Sequence, residues 1–184
     1  MALKATIFKA RVQLADMDRG LYADHALTLA RHPSETDERM LMRVLAFALN
    51  VPADDREGTL EFGKGLSDTD EPDLWHRDLT GRIRHWIDVG QPDDKPLLRA
   101  AARADKGSVY AYAASTPIWW GGIANKRARA ANVEVWQVEP AQRQALAALA
   151  RRTMQLQVSV QDGAAWVGDG EQSVEITPRR LNAA

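Results

Sequence analysis

Residues 82 to 113 constrain this chain more than any other stretch. Arg82 to Val89 alternates, with Ile83, His85, Ile87 and Val89 on one side and Arg84, Trp86 and Asp88 on the other. A period of two is the signature of a strand. Gly90 breaks it. Pro92 suits the first position of a helix, and Asp93 and Asp94 suit the positive end of its dipole. The helix expected over 92–105 buries Leu97, Leu98, Ala101 and Ala102, and shows Lys95, Arg99 and Arg103 on another side. Ser108 to Ala113 is then an apolar run of buried-strand length. Strand, helix and strand make a β-α-β unit, so its two strands are expected to be parallel.

The flanks extend the pattern. Residues 3–14 alternate like a strand, 16–20 are turn material, and 21–31 read as the return strand of a hairpin, with a helix as the alternative there. Ser34 opens the clearest helix, capped by Ser34 with Asp37, with Leu41, Val44, Leu45, Ala48 and Leu49 as its buried stripe. Thr59 to Phe62 is a short strand, and Asp73 to Asp78 is read as a helical turn. A helix is expected over 115–129, a strand over 133–138 and an Ala-rich helix over 140–152. Strands follow at 154–160, 164–167 and 173–177, turned at Asp162-Gly163 and Asp169-Gly170. The tail after Pro178 is expected to be loose. The fold class is α/β (α+β), a mixed central sheet flanked by helices. The 184 residues fit a single domain, 1–184, with a monomer favoured.

Composition narrows the function. A net charge of −1 gives no global attraction to nucleic acid or to an anionic membrane, so any basic surface must be local. The absence of cysteine removes disulfides, thiolate metal sites and cysteine nucleophiles. It suits a reducing compartment, and a cytoplasmic protein is expected. The N-terminus has no apolar core of signal-peptide length. No run approaches the roughly 18 apolar residues of a membrane span.

The densest acids lie between Asp70 and Asp94. Asp88 ends the central strand beside a helix start, and Asp73 follows a proline 15 positions upstream. Two such carboxylates brought together could hold a hard divalent cation through oxygen. The alternative is a solvated acidic loop plus an acid closing a strand. Glu38 falls in line with the buried stripe of its helix and so needs a metal, an Arg or a Lys beside it. A half-exposed Glu near a helix N-terminus is the alternative. His25, His32, His76 and His85 lack paired zinc spacing. Trp119 and Trp120 cannot share one helix side, so one belongs to a core, and base stacking by the other ranks below exposed packing. Lys126, Arg127 and Arg129 offer phosphate contacts or a solvated surface. Gly63-Lys64-Gly65 and Gly121-Gly122 lack the phosphate-loop pattern.

Several segments together carry a resemblance. The opening Met-Ala-Leu-Lys-Ala-Thr-Ile, Thr28 to Thr36, Asp70-Glu71-Pro72, Trp86-Ile87, Ile118-Trp119-Trp120 and Gln161-Asp162-Gly163 are similar to those of the YaeQ family of small bacterial proteins, over essentially the whole chain. The resemblance implies a variation on the PD-(D/E)xK nuclease core, with the N-terminal hairpin and a C-terminal β meander as additions. It implies metal-assisted phosphodiester hydrolysis with Mg²⁺ or Mn²⁺, acting on DNA or RNA. Carried over, Asp73, Asp88 and Glu38 are the ligand candidates. Gly90 stands where the motif places a Lys. Lys95 or Arg99, one helical turn apart, would supply the cation instead, with Lys106 a third candidate. The alternative the departure raises is a binding module for nucleic acid or protein that keeps the fold without the chemistry.

Overall fold

A computed structural model describes residues 4–68 and 70–182. The chain forms two compact units, each with its own mixed sheet. One runs to Leu49 and resumes over Ala141–Thr177; the other is Asn50–Pro140 with the C-terminal residues from Pro178. The expected single central sheet is therefore two sheets.

In the first unit β1 (Thr6–Asp16) and β2 (Leu21–Arg31) form the expected hairpin, paired without irregularity from Thr6↔Arg31 to Asp16↔Leu21. The later strands β8 (Thr153–Gln161), β9 (Ala164–Gly168) and β10 (Ser173–Ile176) join it, because β8 runs parallel to β1. The order is β10-β9-β8-β1-β2. One side of this sheet buries Ala10, Val12, Leu14, Leu27, Leu29, Met154, Leu156 and Val158. The opposite side chains are mostly exposed, as strand alternation requires. Asp162 (φ 52°) and Gly163 (φ 77°) make the tight turn after β8. Asp18 in the first hairpin accepts both of their peptide N–H groups, at 2.7 and 2.9 Å.

Helix α1 (Asp37–Asn50) begins three residues after Ser34. The Thr36 hydroxyl accepts the Arg39 N–H at 3.1 Å and is the cap, while the Ser34 hydroxyl pairs with His32 Nδ1 at 2.6 Å. Asp37 pairs with Arg31. The expected stripe is too narrow, since every residue from Met40 to Ala48 is buried, Arg43 included. Its guanidinium pairs with buried Glu35, which also takes Arg39 at 2.6 Å. Helix α4 (Pro140–Ala147) stops five residues early. Its Ala-rich run carries no stop signal, and three-residue bonds from Leu149 and Ala150 tighten the end.

The second unit is ordered β11-β7-β6-β5-β4-β3. Here β3 is Thr59–Phe62, β4 Leu74–Arg77, β5 Ile83–Val89, β6 Ala104–Ala111, β7 Val133–Gln137 and β11 Arg179–Arg180. The β-α-β unit is as expected: α2 (Asp94–Arg103) links β5 to a parallel β6, and β7 continues the parallel set. Leu97 and Ala100 of α2 are buried among Trp86, Val109, Val133 and Val135. Helix α3 (Thr116–Ile123) is shorter than expected, with Gly121-Gly122 near its end, and a separate 3-10 turn covers Lys126–Arg129.

Residues 74–77 form a strand, not a helical turn, because they pair antiparallel with β5 from Leu74↔Ile87 onward. The tail is not loose: Arg179 and Arg180 pair with Gln137 and Trp136. Buried Asn182 then bonds the Val135 N–H and the Val133 carbonyl, both at 2.7 Å.

Candidate metal centre

The register of β4 on β5 sets the site. Leu74 lies opposite Ile87, so Asp73 and Asp88 meet at the next position of the antiparallel ladder. The Asp73 N–H donates to Asp88 Oδ1 at 3.3 Å, and the Val89 N–H donates to Asp73 Oδ2 at 2.8 Å. Trp86, two residues before Asp88 and on the same side of the strand, donates its indole N–H to Asp88 Oδ2 at 3.0 Å. Asp73 is 3% exposed. The two carboxylates are thus held side by side by neutral N–H groups.

The loop before β4 closes over Asp73. Gly63 N–H donates to the Asp73 carbonyl at 3.0 Å. Gly65 has φ 48°, and a Cβ on it would stand 2.4 Å from Asp73 Oδ1. The Gly63-Lys64-Gly65 stretch, read from sequence as lacking phosphate-loop context, packs against this carboxylate. Trp86 and Gly65 are the parts of the site that sequence reasoning missed. A Trp two positions before an acid on one strand was the available signal for the first; nothing local signalled the second.

The candidate cations are placed differently from one another. Arg99 is 3.0 Å from Asp70, three residues before Asp73, so α2 does reach back to the acidic loop. Lys95 is exposed in the first turn of α2. Lys106 lies opposite His85 in the parallel ladder, on the side of β5 away from Asp88, and pairs with Glu134 at 3.5 Å. Gly90 has φ 105° and donates its N–H to the Tyr110 carbonyl at 2.8 Å. That backbone region favours glycine, so a Lys at this position would be strained. Glu38 belongs to the other unit, where Arg143 lies 3.4 Å away, one of the partners its place on α1 demanded.

The donor set can be tested against the implied ion. Among the described residues no group of three or more His, Asp or Glu side chains is placed to hold a metal. Mg²⁺ typically keeps several waters and takes one or two protein carboxylates, whereas Ca²⁺ requires six to eight oxygens. An ionised carboxylate has about four acceptor sites, so neutral N–H donors do not exclude a cation. Asp73 and Asp88 are the two carboxylates that could supply protein oxygens to such an ion.

The remaining candidates have local roles. His85 Nε2 lies 2.7 Å from the Ser108 hydroxyl, and burial, helped by Lys106 and His76, lowers its pKa to about 3. Burial also lowers the pKa of His25, whose ring packs edge-on against Phe47 at 5.2 Å. His76 Nε2 is 2.9 Å from the Glu57 carbonyl. Trp119 and Trp120 are both half-buried against the α2–β6–β7 cluster, so the core packing expected of one is shared by the two. The Trp119 indole donates to the Pro92 carbonyl at 2.9 Å. Lys126 pairs with Asp94 at 3.2 Å and holds its carboxyl below the usual range; Arg129 is exposed, and the side chain of Arg127 lies outside the described residues.

Fold and site together define a mixed α+β protein with, among the described residues, two mixed sheets, four α-helices and a cross-strand carboxylate pair. No helix among the described residues is long and apolar enough to cross a membrane. Comparison with known proteins supplies the family. The YaeQ protein profile matches residues 1–178, and the chain belongs to this family. It is 45% identical over 177 residues to YaeQ of Salmonella typhi and 42% identical over 177 residues to YaeQ of Escherichia coli (strain K12), covering in each case 96% of this chain and 95% of the relative. The crystal structure of YaeQ from Xanthomonas axonopodis pv. citri matches with a TM-score of 0.90 at 47% identity, covering 98% of this chain and 99% of that one. YaeQ from Pseudomonas syringae matches with a TM-score of 0.89 at 36% identity, covering 98% and 97%.

Proposed function

We propose that this protein is a divalent-metal-dependent phosphodiesterase acting on nucleic acid, built on a variation of the PD-(D/E)xK nuclease core. The observation that carries the reading is the carboxylate pair: Asp73 and Asp88 are adjacent across two antiparallel strands, at the end of β5 that leads into α2. The chain order supports it too, since α1, three antiparallel strands, α2 and a parallel strand follow in the sequence that core requires. A bound Mg²⁺ or Mn²⁺ would polarise a phosphate and lower the pKa of its water. The chain's own residues hold and orient: Asp73 and Asp88 supply oxygen ligands, while Trp86 and the Val89 N–H fix their orientation. Lys95 or Arg99 replaces the missing strand lysine, and Lys95 is exposed at the start of α2.

The test is cleavage of single- and double-stranded DNA and RNA with Mg²⁺ or Mn²⁺, beside Asp88→Asn prepared identically. Loss of both cleavage and calorimetric metal binding in the variant is the expected result. If Asp88→Asn leaves both unchanged, the reading fails. A second reading, a non-catalytic binding module, is favoured by one observation: the positive φ of Gly90 disfavours the motif lysine. No cleavage and no metal binding by the wild type would select it.

A further inference from the structure

We propose that the free edge of β2 joins a second copy of this chain, antiparallel, in a register centred on His25. The described sheets have four edges. Three are short: β10 and β3 have four residues each and β11 has two. Shortness is a common protection against edge pairing. The fourth edge, β2, has 11 residues, LYADHALTLAR, with no Lys, Pro or Gly, and its ladder with β1 has no bulge. An edge lysine, a proline and a bulge, three further protections, are therefore missing, and Asp24 is the one charge in the middle of the strand.

The backbone directions follow from neighbouring bonds. Lys9 N–H donates to Arg152 O at 3.0 Å, on the β8 side, so Lys9 does not bond β2. Its ladder partner Thr28 therefore turns its N–H and C=O outward, and by alternation so do Ala26, Asp24 and Tyr22. The next outward carbonyl, Ala30, accepts Arg43 Nη2 at 3.4 Å, which closes that end of the edge. No hydrogen bond to the outward backbone groups of Tyr22, Asp24, Ala26 or Thr28 is made by the described residues. Side chains at these four positions are exposed, Tyr22 by 68%.

These four residues are symmetric about residue 25. Antiparallel pairing of two copies around that point sets Tyr22 against Thr28 and Asp24 against Ala26, twice over, and forms about eight main-chain hydrogen bonds. Outward groups meet only outward groups, and no like charges are opposed. Because the same patch serves both copies, the contact closes on itself as a two-fold dimer rather than a fibre. Self-complementarity is what selects a second copy over an unrelated extended peptide.

The test is sedimentation of the full chain from low micromolar to millimolar concentration. The wild type is expected to shift from a 20.4 kDa species to twice that mass. Ala26→Asp sets its carboxylate against Asp24 of the other copy and should raise the dissociation constant roughly tenfold, while Ala26→Lys sets a cation there and should lower it by a similar factor. Position 26 is exposed, and circular dichroism checks that each variant folds. Amide exchange at Tyr22, Asp24, Ala26 and Thr28 should slow with concentration in the wild type. A wild type that stays monomeric throughout overturns the proposal, as does a dimer that responds to both substitutions with the same sign.

Discussion

Gly90 offers the clearest test of whether backbone strain keeps a lysine from the position two residues after Asp88. Its φ is 105°, and a Cβ built on it meets no atom within 4 Å. Space is therefore not the constraint, and the whole cost of Gly90→Ala is conformational. A non-glycine residue held in such a region costs about 1–3 kcal/mol. The Gly90 N–H bond to Tyr110 is a main-chain bond that the substitution leaves in place. For a chain of this length each kcal/mol moves the melting temperature by roughly 2–4 °C. Urea unfolding should show a lower midpoint with an unchanged slope. Gly90→Lys should lose a similar amount, because its side chain also enters open space. Gly121→Ala is the control: its Cβ is equally uncrowded, but it lies in α3 without a positive φ, and it should gain about 0.5–1 kcal/mol. If Gly90→Ala is within about 0.5 kcal/mol of wild type, the claim that strain excludes a side chain at this position is refuted.

Two further outcomes are expected. Burial holds His85 neutral down to about pH 3, whereas the unfolded chain takes up that proton near pH 6.5. Its contribution to stability is thus complete above pH 6.5 and is lost as the pH falls toward 3, at no more than about 1.4 kcal/mol per pH unit; denaturant midpoints measured across this window should flatten in His85→Gln. Asn182→Ala strands the Val135 N–H and the Val133 carbonyl, so a loss of about 2–4 kcal/mol is expected by urea unfolding, and a loss under about 0.5 kcal/mol would mean that the tail does not hold β7.

Local signals carried much of the fold. Strand alternation placed β1 and β5, and the Asp162-Gly163 pair placed the β8–β9 turn. The break at Gly90 with Pro92 and two acids placed the start of α2. These features repeat within a few residues, and backbone geometry alone imposes them. Each acid stood out for the same reason, since an acid closing a strand and an acid after a proline are local patterns, but their meeting rests on the β4–β5 register, where the sequence suggested a helical turn. Their neighbours did not stand out. Gly65 reaches Asp73 only through the path of its loop, and Arg99 meets Asp70 only because α2 folds back over the acids.

The burial of α1 shows the limit of periodicity. An apolar stripe predicts one buried side, but Met42, Arg43 and Ala46 are buried too, and Arg43 is tolerated there because Glu35 answers its charge. Residues 74–77 illustrate a second limit, since four residues are too few for a period and only pairing with β5 makes them a strand. By itself the sequence determined β1, the β-α-β unit and the acid at the end of β5, because each rests on neighbours in the chain. Tertiary structure alone decided that β8 runs beside β1, with Lys9 against Thr153, and so made one sheet of the hairpin and the meander. Residues that far apart share no local repeat, and the pairing is selected by the apolar side they bury together and the main-chain bonds they complete.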